Sequence, residues 1–217
     1  MRMIAASCLA LLLMSPAGTD AAGTTDNADN AAMNAIHGQD QADRSGDAMQ
    51  RDPAAVFARD RARRDATLAL VREGRLHTAT DYFRAAVVFQ HSADDIRLAH
   101  ALATIATTLD PGDGRARWLV AASWDRLLMQ RLQPQWYGTQ YQDSGDGVFL
   151  FPIADGAVDD EERRRMDVPT LGEARARLDD MAKMMGRPAL AESPTIETLR
   201  ERSRAEADPQ PAAVGKE

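Results

Sequence analysis

Apolar side chains recur every three or four residues through most of the middle of the chain, the spacing of helices that bury one face. Asp52 and Pro53 open the first such stretch, aspartate as cap and proline at the first helical position, and Gly74 closes it. A second covers residues 79–90, where Tyr82, Phe83, Ala86, Val87 and Phe89 share an arc. A third starts at Ser92, with Asp95 three residues on as in a capping box, aligns Leu98, Leu102, Ile105 and Leu109, and stops at the turn sequence DPGDG. The fourth runs over 115–132. Asp159 and Thr170 each precede a glutamate by three residues and predict two more helices. The last of these carries Leu171, Ala174, Leu178, Met181 and Met185 on one face as far as Gly186. Between them, VFLFPI (148–153) reads as a short strand or an extended loop. The pattern predicts an all-α fold: a single domain over 52–186 of five or six helices in antiparallel hairpins, with a loop or short extended segment after the fourth. No second copy of any helix pair recurs at the period of a helical repeat.

The ends read differently. Arg2, the apolar run Ile4–Met14 and the small residues after it make 1–21 a secretory signal peptide. That run is too short to cross a hydrocarbon core of about 30 Å, which takes about 20 residues. Residues 22–51 hold only Met33, Ile36 and Met49 as larger apolar side chains, so they read as a disordered linker. Residues 187–217 read as a mostly disordered tail with a short helix after Ser193-Pro194. The expectation is an exported protein, periplasmic or extracellular, without a membrane span. Its one cysteine, Cys8, leaves with the signal, so neither a disulfide nor a cysteine ligand is expected.

Charge narrows the partners. At −7, with a pI near 5.2, the chain lacks the positive field that draws proteins to nucleic acid. The arginine clusters RDRARR (59–64) and ERRR (162–165) are interleaved with acids and read as solvated helix faces.

Winding the fourth helix at 100° per residue puts Asp125 amid Trp118, Ala121, Ala122, Leu128, Met129 and Leu132. On the second helix Gln90 falls near the centre of the apolar arc, with His91 toward its edge. An unpaired buried carboxylate costs several kcal/mol, so Asp125 needs donors or a proton. The segment QWYGTQ that follows supplies candidates in Gln135, Tyr137, Thr139, Gln140 and the N–H groups near Gly138, and Arg163, Arg164 and Arg165 are others. Trp118 and Trp124 fit a core, whereas Trp136 is expected to line a pocket or a partner surface.

Gln90-His91, Asp125-Arg126, the run Gln135–Gln140 and the arginines at 163–165 resemble a widespread bacterial family, a domain of unknown function with the signature QH, DR, Q-x-YGTQ and RR. The likeness spans about 83–178, and where that family continues with glycine after the arginines this chain has Asp167. The resemblance implies a shared polar constellation and no particular chemistry.

Three readings follow. The preferred one is a binding module whose polar pocket holds a small molecule, a peptide or an exported protein through Gln90, Arg126, Gln135, Trp136, Tyr137, Gly138, Thr139, Gln140, Arg163 and Arg164. A second is a hydrolase or transferase with His91 as acid or base and Asp125 orienting it, although no nucleophile or known catalytic motif stands out. The third is a purely structural network. No cofactor is implied, and no metal site is assigned, since the spacings around His77, His91 and His100 repeat no known ligand pattern.

Overall fold

The computed structural model of the chain describes residues 28–45 and 52–207. Among the described residues are nine helices and one two-stranded antiparallel sheet. The helices are α1 (Ala31–Ser45), α2 (Pro53–Arg72), α3 (Ala79–Phe89), α4 (Ile96–Leu109), α5 (Gly114–Gln130), α6 (Asp160–Arg165), α7 (Leu171–Ala176), α8 (Leu178–Met184) and α9 (Ile196–Ala207); β1 (Tyr141–Asp143) and β2 (Val148–Leu150) lie between α5 and α6. The expected signal peptide falls outside the described residues, and no described helix is long and apolar enough to cross a membrane. The chain divides into two compact units, with the division inside α5 between residues 124 and 125.

The first unit comprises the described residues up to 124 together with 164–168. Its starts are capped as the sequence dictates: Asp52 accepts from Ala55 N at 3.0 Å with proline following, and Thr78 and Asp81 form a reciprocal capping box on α3. The helix α3 packs against α2 and α4. Val56, Leu70, Phe83, Phe89, Ile96, Leu102 and Leu119 are buried here, each such side chain contributing about 1.5–3 kcal/mol by leaving water. The capping box expected at Ser92 is absent. Residues after α3 turn instead, Ser92 N donating to Phe89 O, and α4 starts only at Ile96 behind an Asp95 that makes no side-chain cap.

The expected linker contains α1, which packs on α2 and α3. It buries Met33 completely, yet most of its attachment is polar. Asn30 N donates to Asp81 Oδ1 at 2.7 Å, and its side-chain amide donates to Arg75 O at 2.9 Å. Apolar content underestimates such a segment because ion pairs with RDRARR take the place of a hydrophobic stripe.

The second unit comprises 125–163 and 169–207. Met129, Phe149, Phe151 and Leu199 form its core, with Leu132, Leu190 and Ile196 packed against them. In the hairpin Tyr141 faces Leu150, Gln142 faces Phe149 and Asp143 faces Val148. Val148 also pairs in parallel with Ala189, and a Cβ on Gly147 would stand 2.7 Å from Pro188 O, so only glycine allows that approach. The helix expected over 171–186 is present with a one-residue break at Arg177, across which Arg177 N still donates to Glu173 O and Met181 N to Arg177 O. The tail holds more structure than expected: α9 buries Leu199, and Arg200 Nη2 donates to Leu132 O at 3.0 Å.

Candidate functional site

Asp125 is wholly buried, as the winding of its helix predicts. Its Oδ1 accepts from Trp136 N at 2.8 Å and Tyr137 N at 3.0 Å; its Oδ2 accepts from Thr139 N at 3.0 Å and Thr139 Oγ1 at 2.8 Å. The donors are therefore backbone groups and one hydroxyl, and not the glutamine amides or the arginines. Burial pushes the Asp125 carboxyl above the usual range, while the N–H groups of residues 137, 139 and 136 and the Thr139 hydroxyl pull it back. Gly138, at φ +86°, makes the turn that brings Thr139 N round to the same carboxylate as Tyr137 N.

Arg163, 4 % exposed, grips the opposite side of the loop. Its Nη2 donates to Trp136 O at 2.9 Å and its Nε to Tyr137 O at 3.1 Å, while Nη1 reaches Val158 O and Asp160 Oδ1, both at 3.2 Å. The peptide between Trp136 and Tyr137 thus has its N–H on a carboxylate and its C=O on a guanidinium. Its dipole points from one charge to the other, and each charge gains the fixed partner that burial demands.

Gln135 closes the loop as a surrogate strand. Its Oε1 accepts from Gln140 N at 2.9 Å, and its Nε2 donates to Gln140 O at 3.0 Å and to Phe151 O at 2.7 Å. Its own N donates to Pro152 O, and its O accepts from Ala154 N. Buried Gln140 donates from Nε2 to Thr139 Oγ1 at 2.9 Å and accepts at Oε1 from Arg126 Nε at 3.3 Å. Of the residues read from sequence, Asp125, Arg126, Gln135, Gly138, Thr139, Gln140, Arg163 and the backbone of Trp136 and Tyr137 are brought together. The Trp136 residue stays 37 % exposed and Arg164 is exposed.

Gln90 and His91 belong to the first unit, where Gln90 is buried. His91 Nε2 stands 3.4 Å from Asp40 Oδ2, within reach of an ion pair but not aligned for a hydrogen bond. Asp40, 1 % exposed, also meets Arg44 Nη1 at 2.7 Å and Gln41 Nε2 at 2.9 Å. Arg44 continues to both oxygens of Asp60 at 3.1 Å, and Arg63 joins Asp60 to Asp43, which Arg59 grips with two bonds at 2.8 Å. Three carboxylates and three guanidiniums balance. Sequence reasoning left this lattice among solvated faces; the helical spacings Asp40/Arg44 and Asp60/Arg63 are the signal that marks it. Burial pushes the His91 and His37 imidazoles below their usual range. Burial alone would raise Asp40, but His91, Arg44 and Arg63 outweigh it and hold its carboxyl low.

Asp167 has φ +56°, a conformation that glycine adopts freely and aspartate tolerates. Among the described residues no group of three or more histidine, cysteine or acidic side chains is arranged to hold a metal ion.

These features describe a largely helical protein whose second unit carries an extended loop clamped between buried opposite charges. No family model, no curated protein and no solved structure matches the chain.

Proposed function

We propose that the chain is an exported binding module of the cell envelope, in which the polar signature is scaffold and the loop it fixes is the recognition element. The observation that carries this reading is the saturation of Asp125 by four donors from residues 136–139, which leaves the indole of Trp136 partly exposed on a loop that cannot easily move. A preorganised aromatic anchor of this kind loses little entropy on binding. The same saturation speaks against a catalytic Asp125, and His91 faces the buried Asp40.

Placing a photo-crosslinking benzoylphenylalanine at position 136 tests this. A discrete adduct with an envelope component is expected from position 136 and not from the equally aromatic, more exposed position 57, where Phe57 is 57 % exposed. Equal labelling from both positions would remove Trp136 as the anchor.

A further inference from the structure

The second unit also contains a cavity of about 420 Å³, whose lining holds none of the candidate site residues read from the sequence. Leu150, Ile153, Leu178 and Leu190 give it an apolar floor, and Asp155 and Arg175 stand in its wall. The volume lies in the lower part of the range of small-molecule sites, about 300–1,000 Å³. Among the described residues neither the Asp155 nor the Arg175 side chain forms an ion pair or a hydrogen bond, although both residues line the same cavity. The Ser193 hydroxyl, also in the lining, is already spent on Leu150 O at 2.9 Å. Ile153 is bridged to Gln135 through the flanking groups, Pro152 O and Ala154 N, and its own N–H and C=O have no partner among the described residues.

Each of these features rejects a class of ligand. A fatty acid would satisfy Arg175 but set its carboxylate in a cavity shared with Asp155, and an alkylamine would do the reverse. A purely apolar molecule would leave both charges and the Ile153 peptide group without use. A molecule with a carboxylate, an ammonium, a peptide group and an apolar side chain answers all of them.

We propose that this cavity binds a zwitterionic dipeptide with an aliphatic side chain: its carboxylate pairs with Arg175, its ammonium with Asp155, its amide with the Ile153 backbone, and its side chain lies on the leucine floor. The site is independent of Trp136 and does not rest on the recognition role given to that residue.

Calorimetric titration of the full chain with alanyl-leucine, N-acetyl-alanyl-leucine and alanyl-leucinamide tests it. Saturable one-to-one binding of the free dipeptide is expected, with each blocked form roughly tenfold weaker, the size of one charge-assisted contact. Arg175→Gln is expected to abolish discrimination against the amide alone, and Asp155→Asn discrimination against the acetyl form alone. Both side chains are exposed, so these variants should keep the parent melting temperature, which is measured alongside. Trp136→Ala should leave dipeptide binding unchanged, which separates this site from the loop. No saturable binding at millimolar peptide, equal affinity for free and blocked forms, or discrimination that survives both substitutions overturns the proposal.

Discussion

At the scale of single residues, the clamp turns on how many donors one carboxylate can hold. Asp125→Asn keeps the shape but replaces an acceptor oxygen with an NH₂ group that faces N–H donors, leaving buried groups unpaired. A loss of about 3 kcal/mol or more is expected in denaturant unfolding. Gly138 offers a contrast. A Cβ there would meet Ile153, Leu171 and Ala174 only at 3.5–3.8 Å, which is ordinary contact, so Gly138→Ala should cost about 1–2 kcal/mol through its φ of +86° and not through a clash. The inward acid was legible because helical winding fixes the direction of a side chain from sequence alone. Its partners were partly legible: the Thr139 hydroxyl and N–H groups near Gly138 were foreseen, whereas the Gln135 amide and Arg163, expected as donors too, serve backbone carbonyls instead, along a backbone path that no side-chain pattern encodes.

At the scale of elements, α1 is the part most sensitive to acid. His91 and His37 face each other, Asp40 and Arg44 from α1, Asp60 from α2, Arg84 from α3 and Arg115 from α5. Both imidazoles have pKa values below those of the unfolded chain, so the unfolded state takes up protons first. Their contribution to docking is full above the unfolded value near 6.5 and declines as pH falls through it. The carboxyl groups of Asp40 and Asp43, the latter held down at about 2, are depressed, so their contribution is lost only in stronger acid. Hydrogen exchange of the α1 amides, corrected for intrinsic rates, should therefore speed up between about pH 7.5 and about pH 5, and His91→Gln should flatten that rise. The helices from α2 to α5 were legible to within a few residues because capping residues and apolar periodicity agree there. The helix α1 was not, since its anchor is charge, and a polar helix and a solvated linker have nearly the same composition.

At the scale of the molecule, α1 packs on helices that lie beyond residue 52. A chain beginning at 52 would leave Arg63, 5 % exposed, without Asp43 and would remove Asn30 from Asp81. Losing the buried Met33 side chain alone costs about 1.5–3 kcal/mol, so the melting temperature should fall by roughly 5–10 °C. The grouping into two units was hidden for a related reason: the division falls within one continuous helix, where no linker composition marks it. The lattice of Asp40, Asp43 and Asp60 with Arg44, Arg59 and Arg63 carries a last implication. Its charges sum to zero, so losing one of the buried members, Asp40, Asp60 or Arg63, strands an odd charge in a dry place. In kindred proteins, substitutions at these positions should arrive as matched couples of opposite sign, and a lone change should be found only where the whole helix has been given up.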